Sequence, residues 1–236
     1  MEQTRLYKLS QPNTIRLTFY REFSMRKLLF QWLLGLVGGL FSLTVWAQEL
    51  YQVEIIVFQH NRNALQEQLA PNAPLPTVNQ ATPLRPYNGR RQAYHLLPTS
   101  AFQLSSQATK LTQDPTYTVL LHQAWLQPIP HPRSARAVHI KALELEQTES
   151  TLPFYQWKLN GTLTLSQLNY FQVTVDLMLN VPLNEAQRLN ITIPYAALGR
   201  NIISIPFQYR RRLRADQLYY LDHPVYAMLI QIKPPA

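Results

Sequence analysis

The chain has 236 residues, enough to bury a substantial core, and it contains no cysteine. The absence of cysteine excludes disulfides, thiol catalysis and a lipid anchor on a cysteine, so the fold must be held together by burial alone. The 22 Lys and Arg against 13 Asp and Glu give a formal net charge of +9, which favours anionic partners.

The first predicted element is an export signal over residues 25–47. Arg26 and Lys27 precede an uncharged apolar run over residues 28–43, and a Val-x-Ala cleavage pattern ends at Ala47. We therefore predict cleavage after Ala47 and, since an exported chain without cysteine is typical of bacteria, a periplasmic protein. The alternative is an uncleaved membrane anchor, because the run approaches the length of about 20 residues that spans a bilayer.

Residues 1–24 precede this signal and are polar. Because a signal peptide normally begins at its own basic end, Met25 is the better initiator, and residues 1–24 are either spurious or an extended N-terminus. We expect residues 48–236 to form a single domain. Six cations and two acids lie in residues 1–47, which leaves 16 cations against 11 acids for that domain. Once the protein is exported and cleaved, we expect neither nucleic acid as a partner nor a membrane span.

The exported part begins with a strand and a helix separated by a proline-rich excursion. Residues 51–58 alternate and are rich in β-branched side chains, which predicts a central strand. Residues 71–86 hold five prolines, which fix φ and remove hydrogen-bond donors, so we expect an extended surface segment. A helix should follow, with Ser100 as its N-cap, Gln103 in the capping-box position and Asp114 near its end.

From residue 117 onward the sequence indicates β-structure. Apolar and polar residues alternate over the segments 117–125, 137–145, 155–165, 170–181, 201–214 and 218–232. The predicted fold class is α+β, with one antiparallel or mixed β-sheet and one or two inserted helices.

The sequence offers no positive indication of catalysis. The six histidines never fall at metal-ligand spacing, and neither a glycine-rich phosphate loop nor a Gly-x-Ser-x-Gly elbow is present. Asp222-His223-Pro224 is the one local triplet that could be catalytic, but a turn fixed by the proline explains it without a nucleophile. We predict a non-enzymatic protein with no cofactor and no metal; a hydrolase using Asp222 and His223 is the alternative.

The strongest electrostatic feature is an arginine cluster near the C-terminus. If residues 207–214 are extended, three arginines share one face and Arg211 lies on the other. Guanidinium groups suit carboxylates, and tyrosine rings offer flat faces to sugars. The candidate binding residues are Arg210, Arg211, Arg212, Arg214, Tyr219, Tyr220 and His223. A solvated strand face that protects a sheet edge explains the same residues.

Ordered motifs distributed over the chain carry a resemblance to a known family. After the export signal they are Tyr51-Gln-Val-Glu-Ile-Ile-Val-Phe58, the strand 117–125, Leu159-Asn-Gly-Thr-Leu-Thr-Leu165 and the closing segment 211–226. Over most of residues 48–232 this succession resembles the CsiV family of periplasmic peptidoglycan-binding proteins of gammaproteobacteria. Tyr170-Phe-Gln stands where the family would have Tyr-Leu-His, so any role of that histidine is lost here.

The resemblance implies a non-enzymatic accessory protein that binds peptidoglycan and supports cell-wall assembly and cell shape. The implied partners are peptidoglycan, the lipoprotein activator of a class A penicillin-binding protein and, through it, the synthase. No catalytic residue is carried over. The alternative is a periplasmic adaptor that pairs an exposed sheet edge with a partner protein and does not bind the wall directly.

Overall fold

The structure is a computed structural model that describes residues 49–61, 74–145, 157–188 and 201–234. These residues all belong to one compact unit, Gln48–Ala236. The predicted export signal and residues 1–24 lie outside the described residues. In the described part of the chain, no helix is both long enough and apolar enough to cross a membrane.

The described chain contains nine strands, two α-helices and one 3-10 turn. In chain order they are β1 (Leu50–His60), β2 (Thr82–Pro83), the 3-10 turn (Thr99–Ala101), α1 (Ser105–Gln113), β3 (Tyr117–Pro128), β4 (Ala137–Glu144), β5 (Trp157–Gln167), β6 (Phe171–Pro182), α2 (Leu183–Arg188), β7 (Ile202–Leu213), β8 (Leu218–Leu221) and β9 (Tyr226–Lys233).

The strands form two sheets, one with four strands in the order β3-β1-β9-β8 and one with five in the order β2-β4-β5-β6-β7. Neighbouring strands are antiparallel except for β2 and β4, which are parallel. The α+β class is therefore confirmed, but the single sheet that we expected is replaced by two. Alternation predicts which side chains are buried, but it does not determine which strands share a sheet.

The two sheets bury their apolar faces against each other. One continuous core cluster contains Val53 and Ile55 of β1, Val175 and Leu177 of β6, and Phe207 of β7, together with residues of the other long strands. Each side chain stands perpendicular to its sheet, so the alternating apolar residues of both sheets meet in this layer.

Strand β1 is buried on both of its faces, as its predicted central position requires. Ile56 and Phe58 point away from the second sheet and pack with Leu104 at the start of α1. The other end of the same face is covered by Leu97 and residues around the 3-10 turn. The order of layers is thus helix, four-stranded sheet, five-stranded sheet.

The helix does not begin with the predicted cap. Ser100 lies in the 3-10 turn, α1 begins at Ser105, and no side chain of the preceding residue caps it. The buried Glu54 of β1 fixes the segment just before the helix instead: its carboxylate accepts hydrogen bonds from the backbone N–H groups of Gln103 at 2.7 Å and of the N-cap residue Leu104 at 2.9 Å. The capping prediction was wrong because Ser100 belongs to the separate 3-10 turn Thr99–Ala101, which the extended Phe102 ends before α1 begins at Ser105.

One end of the five-stranded sheet gathers two connecting segments, the β5–β6 hairpin and the turn after β7. Gln167, Phe171 and Leu213 lie opposite one another in the last row that joins β5, β6 and β7. Beyond this row the β5–β6 hairpin and the turn after β7 project from the sheet. Asp216 in that turn adopts a φ of 60°, and its N–H donates to the carbonyl of Ile232, which ties the turn to β9.

Candidate ligand-binding site

A cavity of about 540 Å³ lies between the β5–β6 hairpin and the turn after β7. Its volume falls within the range of roughly 300–1,000 Å³ that is usual for ligand pockets. The lining residues come from the hairpin, the end of β7 and the start of β8: Gln167, Asn169, Tyr170, Phe171, Arg212, Leu213, Arg214, Ala215 and Tyr219. The cavity therefore brings together three of the candidate residues, Arg212, Arg214 and Tyr219.

Arg212 lies over an aromatic ring of the hairpin. Cross-strand pairing puts Gln172 opposite Arg212 and Phe171 opposite Leu213, and the last two side chains are buried. Arg212 itself is exposed, and its guanidinium carbon is 4.2 Å from the centroid of the Tyr170 ring. This cation–π contact orients the planar guanidinium while its N–H groups stay available to a ligand.

Arg214 and Tyr219 meet on the other side of the cavity. The backbone N–H of Arg214 donates to the Tyr219 hydroxyl at 2.9 Å, and this hydroxyl donates to Gln217 at 2.8 Å. The hydroxyl is thus held by a donor and an acceptor from its own turn. The side chain of Arg214 is exposed, so the turn presents a positive charge at the cavity wall.

Arg210 and Arg211 do not line the cavity. Arg210 lies on the outer face of β7. With the side-chain amide of Gln172 turned so that its oxygen faces Arg210, Nε at 2.6 Å and Nη2 at 2.8 Å donate to that oxygen. Arg211 points to the other face and donates from Nη1 to the backbone carbonyl of Tyr220 at 3.0 Å. It therefore connects the edge strand β7 with β8 of the other sheet.

Tyr220 and His223 also lie away from the cavity. The Tyr220 hydroxyl donates to the carboxylate of Asp222 at 2.6 Å, and burial together with this carboxylate raises the pKa of Tyr220. His223 accepts a hydrogen bond from the N–H of Val225 through Nδ1 at 3.2 Å, and burial lowers its pKa to about 4. The Asp222–His223 segment thus makes the local hydrogen bonds of the turn that precedes β9.

The sequence prediction missed the hairpin side of the cavity. Tyr170, Asn169 and Gln167 are brought beside Arg212 by the pairing of β6 with β7, which sequence alternation alone does not specify. The available signal was the short connection over residues 166–169 between the predicted strands 155–165 and 170–181, which predicts a hairpin at one end of a sheet. Within the described ranges, no group of three or more His, Asp or Glu side chains could hold a metal ion.

The chain was compared with known families, curated proteins and solved structures. A family model described as "Peptidoglycan-binding protein, CsiV" matches residues 29–235, a range that contains every residue of the cavity. No curated protein and no solved structure matches the chain. The family match confirms the resemblance that the sequence motifs carry.

Proposed function

Because the chain belongs to the CsiV family of peptidoglycan-binding proteins, we propose that it binds peptidoglycan, without catalysis, at the cavity between Arg212, Arg214, Tyr170 and Tyr219. The observation that carries this proposal is the meeting of two guanidinium groups with two aromatic rings at one cavity. In the described part of the chain neither arginine forms an ion pair with a carboxylate.

The chemistry of the polymer matches these groups. Peptidoglycan consists of sugar strands that carry peptide stems with free carboxylates, and a planar guanidinium binds a carboxylate through two parallel hydrogen bonds. A tyrosine ring offers an apolar face and a polar hydroxyl, which suits the mixed surface of a sugar. Since the arginines are exposed, their attraction to carboxylates should weaken as salt screens it.

Co-sedimentation with isolated peptidoglycan sacculi across a salt series tests this proposal. We expect the wild-type protein to pellet at low salt and the double variant Arg212→Ala/Arg214→Ala to bind at least about tenfold more weakly, because each charge-assisted hydrogen bond contributes about 1.5–3 kcal/mol. The control is Arg210→Ala, which removes another exposed arginine of β7 that lies outside the cavity.

Two outcomes would contradict the proposal at different levels. Equal retention of the double variant and of Arg210→Ala would remove the cavity as the binding site. A wild-type protein that stays in solution at the lowest salt would remove direct wall binding altogether, and the adaptor function would take its place.

The proposal extends to where the protein acts and with which proteins. The basic and apolar run over residues 25–47 supports export to the periplasm with cleavage after Ala47. The family membership supports a role beside a class A penicillin-binding protein and its lipoprotein activator. N-terminal sequencing of the exported protein should begin at Gln48, and a start at Met25 would favour the membrane anchor. Co-purification with the activator tests the partnership.

An adaptor function is supported by the edge strand β8. Its side chains Leu218 and Tyr220 are 42% and 46% exposed, so this sheet edge presents apolar surface. A partner strand could pair there. Leu218→Asp should then abolish partner binding and leave sacculus binding intact. If the variant still binds the partner, this edge is not the contact.

A further inference from the structure

The loop between β3 and β4 leaves the five-stranded sheet at the same end as the cavity. The N–H of Gln167 donates to the carbonyl of Pro130 at 2.9 Å. Gln167 lies opposite Phe171, and Phe171 lies opposite Leu213. One row of neighbours therefore crosses the sheet end from this loop to the cavity, with the β5–β6 hairpin between them.

This loop carries two exposed arginines, Arg133 and Arg136, which the sequence analysis did not consider. Hydrogen bonds from the N–H of Ser134 to the carbonyl of His131 at 2.9 Å and from the N–H of Arg133 to His131 Nδ1 at 3.3 Å fold the loop on itself. No Asp or Glu occurs between residues 115 and 143, and in the described part of the chain neither arginine forms an ion pair.

The two arginine pairs lie on different elements, one on each side of the hairpin. Neighbouring strands are about 4.8 Å apart, so the three steps from Pro130 to Leu213 put the backbone at the start of the loop about 14 Å from the end of β7, beside Arg212. This backbone distance exceeds the Debye length of about 8–10 Å at physiological salt. Each pair can therefore attract a negative group of its own.

The surface between the pairs is uncharged. The hairpin tip consists of Leu168, which is 61% exposed, Asn169, which is also exposed, and Tyr170. An apolar side chain, an amide and an aromatic ring suit a neutral sugar better than a charged peptide. The sheet end thus carries a positive loop, an uncharged hairpin tip and a positive cavity wall. This order suits a ligand with a neutral backbone and anionic branches at intervals along it.

We propose that Arg133 and Arg136 form a second subsite, and that the ligand is a polymeric glycan strand bearing at least two acidic stems. Arg212 and Arg214 bind a carboxylate of one stem, the hairpin contacts the sugar backbone, and Arg133 and Arg136 bind a carboxylate of another stem. The inference rests on the proposed peptidoglycan binding and adds that the length of the glycan determines the affinity. Once one stem is bound, the second binds as an intramolecular event, which can raise affinity by about 10²–10⁴-fold.

The test compares two ligands: uncrosslinked glycan strands that retain their stems, and the single disaccharide–peptide unit. We expect the wild-type protein to bind the strands at least about tenfold more tightly than the unit. Arg133→Ala/Arg136→Ala should lose this advantage but bind the single unit as the wild type does. Arg212→Ala/Arg214→Ala should weaken binding of both ligands. Circular dichroism establishes that each variant is folded. We expect this result because the substituted arginines are exposed, and substitutions of exposed residues usually change stability little.

The control for total charge is Lys110→Ala/Lys141→Ala. These exposed lysines lie on α1 and towards the far end of β4, so their removal subtracts the same charge away from both subsites. If the Arg133→Ala/Arg136→Ala variant binds the strands as well as this control does, the second subsite is overturned while the cavity stands. Equal wild-type affinity for strands and single units would also overturn it. If the Arg212→Ala/Arg214→Ala variant alone binds both ligands as the wild type does, the cavity is not the binding site, and the proposed function fails on that point.

Discussion

Four arginines between residues 210 and 214 reach three different surroundings. Arg210 binds an amide on the outer face, Arg211 binds a carbonyl of the other sheet, and Arg212 and Arg214 line the cavity. Alternation along β7 predicted the separation of Arg211 from its neighbours. It could not predict that Arg210 is occupied by Gln172, because that contact depends on the register between β6 and β7. The sequence therefore locates the arginine cluster, and the register between β6 and β7 determines which of its members line the cavity.

His223 should make the protein sensitive to mild acid. Its ring packs 5.2 Å from Tyr226 and 5.9 Å from Phe207, and burial lowers its pKa from 6.5 to about 4. Between these pH values the unfolded chain binds a proton that the folded chain does not, so the free energy of unfolding falls as pH drops from about 6.5 towards 4. Because the His223 ring is partly exposed, solvent screening reduces the expected loss to roughly 2 kcal/mol for this group.

Urea denaturation at pH 7 and at pH 4.5 measures this effect. The variant His223→Gln cannot take up the proton, so its stability should change less between the two pH values than that of the wild type. The control His131→Gln changes an exposed histidine in a loop. An unchanged difference between the two pH values in His223→Gln would assign the acid sensitivity to other groups.

At the scale of the elements, the attachment of α1 to the sheet depends on Glu54. This buried carboxylate accepts two backbone hydrogen bonds at the start of the helix and lies 2.8 Å from Nε2 of His122. Glu54→Ala should cost about 3 kcal/mol or more in the free energy of unfolding, because it leaves buried donors without a partner. Ser100→Ala, at the position that local sequence rules favour as the cap, should change stability by less than about 0.5 kcal/mol. Chemical denaturation measures both losses, and a larger loss for Ser100→Ala would contradict the role of Glu54 and favour the local hydroxyl.

The pairing of β5 with β6 requires a glycine in the middle of a strand. At Gly161 an added Cβ would meet the backbone oxygen of Asp176 and would lie 2.7 Å from Cα of Leu177, and the residue has a φ of +154°. Backbone atoms of a central strand cannot move aside, so Gly161→Ala should destabilise the protein by more than about 3 kcal/mol. Gly89→Ala is the control, because φ is also positive there but the space is open, and we expect a loss of about 1 kcal/mol. Similar thermal shifts for the two variants would contradict this account.

At the scale of the whole molecule, the sequence was sufficient for local features and insufficient for long-range ones. Period-2 alternation predicted the long strands β1, β3, β5, β6 and β7 close to their observed bounds, because burial on one face follows directly from the pleat. The division into two sheets depends on pairing between strands that are far apart in the chain. The same is true of the sheet end where the β3–β4 loop, the β5–β6 hairpin and the turn after β7 come together. The cavity and the second arginine pair are products of that topology, so neither could be predicted from any single segment.

The response of wall binding to salt reports on the molecule as a whole. If the two arginine pairs carry the electrostatic part of binding, the affinity for sacculi should fall with ionic strength in the wild type and less steeply when either pair is replaced by alanine. With all four replaced, only contacts such as those of Tyr170 and Leu168 remain, and these are apolar, so the residual binding should hardly depend on salt. Co-sedimentation of the wild type, the two double variants and the quadruple variant between low and physiological salt measures these slopes. If the quadruple variant keeps the wild-type slope, other exposed cations carry the electrostatic part of binding. Arg90 and Arg91, an exposed arginine pair in the loop before Tyr94, would then be the next residues to replace.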